Sequence, residues 1–108
     1  MARLHENFEW DEDKAEANHR KHGVTFDEAT SALEDEDGDT YHLDVDDPSH
    51  SEGEDRYVTY ASLPSRRVVV LIISWSDRST GDEKVTRIIS ARQATKQEKA
   101  RYARKIGG

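Results

Sequence analysis

The order of elements in this 108-residue chain predicts an α+β fold, two N-terminal helices followed by an antiparallel sheet of about four strands and a C-terminal helix. Three observations lead there. Helix-start signals fall at Asp11, Thr25 and Thr95; period-two alternation fills much of the stretch between the last two; and the longest apolar run, residues 68–73, lies inside that stretch, where a central strand belongs.

Residues 8–10 are expected to form a short edge strand. Asp11 can cap the helix that follows, Glu12 and Asp13 favour its positive end, and Gly23 suits a left-handed exit. That helix is poor in apolar residues. Ala15, Asn18 and His22 share one face, so it is expected to pack through alanine, the flanking Trp10 and Val24, and polar contacts.

Thr25 and Glu28 make a T-x-x-E capping box for a second helix, with Phe26, Ala29 and Leu33 as its apolar stripe. Tyr41, Leu43 and Val45 alternate with His42 and Asp44 as a half-buried strand. Residues 57–63, 68–75 and 83–91 follow as strands separated by tight turns. In the last of them strict alternation puts Val85, Arg87 and Ile89 on one face, and sets Arg92, just past its end, opposite Arg87; local geometry decides whether the two converge. A second box, Thr95 with Glu98, opens a basic helix whose expected inner positions are Ala100, Ala103 and Ile106.

One domain spans residues 1–108, without repeats or a linker. Apolar residues make up 33% and charged residues 36%, so the core is small and concentrated in a few elements. The absence of cysteine excludes disulfides, thiol catalysis and cysteine-ligated zinc. The longest apolar run is too short to span a bilayer and no apolar leader opens the sequence, so a cytoplasmic protein without membrane association is expected.

Charge is divided unevenly. Residues 1–55 carry 19 acidic and 4 basic side chains, a net of −15; residues 56–108 carry 4 acidic and 12 basic, a net of +8. A basic half is the footprint of a phosphate-binding surface, and the overall −7 argues that any nucleic-acid contact is local. The competing reading is mutual neutralisation of the two halves on folding. The acidic excess also fits a salt-loving source.

Three segments, in order, carry a family resemblance: FEWDEDKAEANHRKHGVTF (8–26), HSEGEDRYVTY (50–60) and RIISARQATKQEKARY (87–102). Together they resemble the BrnT family, ribonuclease toxins of type II toxin–antitoxin pairs. The resemblance implies a compact relative of the RelE-type toxins, an endoribonuclease that works without metal and slows translation and growth. It further implies a BrnA-like ribbon-helix-helix antitoxin that covers the active surface, with operator DNA met only indirectly, through that antitoxin. Ala61 departs from the glycine common in the family's strand. The alternative is a silent relative that keeps only the antitoxin interface.

RNA cleavage of this kind needs a base for the 2′-hydroxyl, cations for the phosphate and an acid for the leaving 5′-oxygen. Arginine suits the cationic task, because its planar fork holds two phosphate oxygens and stays charged. Arg56, Arg87 and Arg92 are therefore candidates, and Arg56 and Arg92 fall on the resembled motif positions. A salt bridge to the acidic half is the competing role for each. Lys21 and His22, at a helix C-terminus, are candidates for phosphate contact or proton transfer against a purely favourable helix-end charge.

His50 is a further candidate base, and Glu54 a candidate support for Arg56. Tyr102 is either a functional side chain on the last helix or a packed core residue. The histidines show no metal-ligand spacing and the acidic turn 35–39 lacks the spacing of a calcium loop. Neither a metal nor a cofactor is expected.

Overall fold

The computed structural model describes residues 7–34, 40–43 and 56–107, with backbone alone for 40–43, 67 and 106–107. Val45, the acidic turn 35–39, His50 and Glu54 lie outside the described residues. The element order is β1 (Asn7–Glu9), α1 (Glu12–His22), α2 (Phe26–Glu34), β2 (Thr40–Leu43), β3 (Arg56–Leu63), β4 (Arg66–Asp77), β5 (Val85–Gln93) and α3 (Lys96–Gly107). One sheet has the order β1-β5-β4-β3-β2. The fold is α+β as expected: β2 to β5 are antiparallel, and β1 adds a short parallel edge beside β5, which makes the sheet mixed.

The helix boundaries follow from their caps. Asp11 accepts from the backbone N–H of Asp13 at 2.9 Å and of Lys14 at 3.2 Å, and Gly23 ends α1 at φ 70°, a conformation that costs glycine nothing. Both capping boxes close. The Thr25 N–H donates to Glu28 at 2.9 Å and the Glu28 N–H to the Thr25 hydroxyl at 3.0 Å; at the second box the corresponding bonds are 2.8 and 3.2 Å.

The strands expose two unlike faces. On one, α2 and the short connection before it bring Val24, Phe26, Ala29 and Ala32 onto Ala61, Leu71, Ile73, Trp75, Ile88 and Ala91, with Ala15 of α1 packed beside them, and this is the main core. Trp75 stacks on Tyr57 with ring centroids 4.7 Å apart and donates its indole N–H to the Thr59 hydroxyl at 2.9 Å. On the other face Tyr60, Val70 and Ile72 meet Tyr102 of α3 in a smaller cluster.

This second cluster corrects the expected rotation of α3. Ala100 and Ala103 are exposed, and the helix turns Tyr102 (5% exposed) and Glu98 inward instead. The aromatic ring buries far more apolar area than two alanines, and Glu98 is anchored to the sheet through Arg92, so these two residues, one turn apart, set the helix face.

Candidate active site

The last antiparallel pair holds the irregularity on which the site depends. Ser74 pairs with Ser90 but Trp75 pairs with Ile88, which leaves Ile89 as the extra residue of a β-bulge in β5. A bulge re-aims side chains, and here it cancels the strict alternation that would set Arg87 and Arg92 apart. Arg87 pairs with Ser76 and Arg92 with Ile72. Ser76 and Ile72 are four residues apart on β4 and so point the same way. Both arginines therefore project from the α3 face.

Arg56 joins them, since it too pairs with Ser76, from the β3 side. Two rows cross the sheet. One runs Arg56, Ser76, Arg87, Glu9; the other runs Tyr60, Ile72, Arg92. They lie ~13 Å apart along the strands, and Arg56 and Arg87 are ~10 Å apart across them. Val58, Ser74 and Ser90, all half-buried, form the strip between the rows.

Each of the two β5 arginines has a carboxylate partner. Arg87 donates to Glu9 of β1 at 2.6 Å, so for this residue the ion pair with the acidic half exists. Arg92 is held by both oxygens of Glu98, at 2.8 and 2.9 Å, a partner in its own half rather than the acidic one. The fork takes one hydrogen from each terminal nitrogen, and a weaker bond of 3.4 Å reaches the Gln93 carbonyl. Among the described residues the Nε edge of the guanidinium is left over for a further acceptor, and its side chain is 42% exposed.

Hydrogen bonding to Arg92 pulls the Glu98 carboxyl down to about 2, with the Thr95 N–H assisting against partial burial. The same bond raises Arg92, which stays charged.

Ser76 sits between Arg56 and Arg87, is 0% exposed, and its hydroxyl finds no hydrogen-bond partner among the described residues. Lys21 and His22 follow Asn18 by three and four residues, so they share its side of α1, and Asn18 touches β5 at Ala91, next to Arg92. Lys21 is exposed and His22 half-buried. Tyr102 packs in the small cluster with Tyr60, Val70 and Ile72, and Val58 of the strip between the rows packs against that cluster. The structure thus gathers Arg56, Arg87 and Arg92 on one face, leads α1 to its edge, and packs Tyr102 of α3 against the sheet.

Three contributors escaped the sequence reading: the Ile89 bulge, Glu98 as the partner of Arg92, and Asn18. The bulge leaves a trace, since the buried Ile88 and Ala91 are three residues apart where a regular strand spaces them by two. Asn18 is also traceable, as a polar residue on the one face α1 has for packing. Among the described residues no three His, Asp or Glu side chains gather to hold a metal ion, and no helix is long and apolar enough to cross a membrane.

A small α+β domain with one sealed sheet face and one arginine-bearing face is the class of protein that these features define. The chain belongs to the BrnT family: the model described as "Ribonuclease toxin, BrnT, of type II toxin-antitoxin system" matches residues 10–98, most of its length. The family is one of ribonuclease toxins, whose general partners are RNA and an antitoxin. Among individual proteins of curated function, none matches the chain.

Proposed function

We propose that this protein is an active endoribonuclease toxin of the cytoplasm that cleaves RNA on its arginine-bearing sheet face without a metal ion. A BrnA-like ribbon-helix-helix antitoxin neutralises it by covering that face, and operator DNA is met only through the antitoxin. The observation that carries this reading is the bulge at Ile89, which brings Arg87 and Arg92 onto the face that Arg56 already occupies.

In the proposed reaction a base removes the 2′-hydroxyl proton and the 2′-oxygen attacks phosphorus. The bond to the 5′-oxygen breaks and that oxygen takes up a proton, leaving a 2′,3′-cyclic phosphate and a 5′-hydroxyl end. Arg92 offers its Nε edge to the phosphate while Glu98 holds the other end of the guanidinium, so the cation is oriented before substrate arrives. Arg56 and Arg87 meet the strand ~13 Å away. His22, one turn beyond Asn18 on α1, is assigned the proton transfer, with Lys21 beside it as a phosphate contact. Tyr102, 5% exposed on α3, is assigned a packing role.

One observation favours a second reading, a silent module that only engages its antitoxin. Glu9 already neutralises Arg87, and Glu98 neutralises Arg92. Induced expression in a bacterial host decides between them, with purified protein assayed on RNA in excess chelator. Growth arrest and cleavage that persist with chelator and are relieved by Arg92→Ala support the proposal. Normal growth and intact RNA, with folded protein confirmed, favour the silent module.

A further inference from the structure

We infer that Asn18 is a positioning residue: its carboxamide, locked onto the backbone of Ala91, fixes where the next residue, Arg92, leaves the sheet. This deepens the ribonuclease reading above and rests on it for its catalytic meaning, though the positional claim stands on geometry alone.

β1 pairs with β5 only over Val85, Thr86 and Arg87, so beyond that point the outer edge of β5 has no neighbouring strand among the described residues. The hydrogen-bond phase shows which backbone groups face this gap. The Ala94 N–H donates to the Val70 carbonyl at 2.8 Å, and antiparallel pairs alternate between bonded and non-bonded. Arg92 opposite Ile72 is therefore a bonded pair, and Ala91 opposite Ile73 is not. The Ala91 N–H and C=O point out to the open edge, yet Ala91 is fully buried and water cannot serve them.

Asn18 takes the place of the missing strand. Its Oδ1 accepts from the Ala91 N–H at 3.1 Å and its Nδ2 donates to the Ala91 carbonyl at 2.8 Å. The second Nδ2 hydrogen goes to the Val24 carbonyl at 3.0 Å, just past the end of α1. One side chain, 8% exposed, thus spends both donors and an acceptor on tying the end of α1 to the strand between the bulge and Arg92. Only an amide supplies this set at this length. A bulge leaves the local ladder incomplete, and two residues beyond it the strand's outer side rests on Asn18 alone among the described residues.

The test reads Arg92 with and without RNA. In the wild type the Glu98 carboxyl titrates at about 2 because Arg92 grips it. In Asn18→Ala the midpoint, followed by NMR, is expected to rise toward the ordinary 4.5, and the Ala91 amide to exchange faster with solvent. Affinity for an RNA carrying 2′-deoxy substitution at the cleaved position falls roughly tenfold, the worth of one displaced charge-assisted contact. The same change in an Arg92→Ala background produces no further loss.

Thr59→Ala serves as the control, since it removes a buried hydrogen bond elsewhere in the core and leaves the Glu98 midpoint in place. An unchanged midpoint in folded Asn18→Ala, or an equal loss of affinity with Arg92 already removed, overturns the inference. Should Asn18→Ala not fold, Asn18→Gln, which keeps the amide on a longer stem, is read in the same way. If wild-type protein neither binds nor cleaves RNA, the ribonuclease reading fails while the titration still decides the role of Asn18.

Discussion

On one side of the sheet Phe26, Leu71, Ile73 and Ile88 lie sealed beneath two helices; on the other, α3 covers Tyr60, Val70 and Ile72, and three arginines occupy the rows around and beyond them. The same strands supply both sides, so the difference is written in alternate residues. Burial accumulates on the first face, at about 25 cal/mol per Å² of apolar surface. The second face gives up that gain where it carries charge. Stability and candidate chemistry are therefore separable here, and substitutions on the two faces should act on different measurements.

The largest effect is expected from Phe26→Ala. It empties the centre of the sealed face and costs about 3–5 kcal/mol, read as a shift of the urea midpoint, a large share of a small domain's stability. Arg92→Ala breaks the comparison from the other side. RNA cleavage falls by about 10²- to 10³-fold while circular dichroism is unchanged; Arg56→Ala behaves likewise. Unfolding of either arginine variant would join the faces into one structural unit.

Thr25→Ala, on the sealed side, removes a helix cap and lowers unfolding free energy by about 1 kcal/mol. Acid sharpens the contrast. The Glu98 carboxyl is depressed from 4.5 to about 2, so its contribution to stability is fully present above pH 4.5 and is lost as pH falls toward 2. Glu98→Gln is expected to flatten that part of the acid-unfolding curve. The smallest change is Glu9→Gln, which releases Arg87 from a half-exposed ion pair. Stability moves by less than about 1 kcal/mol, while RNA affinity rises, measured by titration with a non-cleavable RNA.

The elements were legible because their signals are local. Asp11, Gly23 and the two T-x-x-E boxes act within a few residues, and each holds in the structure. The central place of β4 followed from its unbroken apolar run. What could not be read depends on pairs distant in the chain. Arg87 finds Glu9 across 78 residues and Asn18 finds Ala91 across 73. The rotation of α3 was misjudged because apolar spacing favoured two alanines, while the packing partner of Tyr102 lies on strands that precede the helix. The arginines themselves were readable as residue types; their shared face was not, since a one-residue bulge reverses every facing beyond it.

The two capping boxes look interchangeable in the sequence, yet they differ in what they tolerate. Glu28 serves Thr25 alone among the bonds described, and glutamine performs that duty as well. Glu98 closes its own box and also grips Arg92, so glutamine there keeps the helix start but discards the anionic half of the grip. Over generations position 28 is free to drift between the two residues, whereas position 98 can do so only in a lineage that no longer asks anything of Arg92.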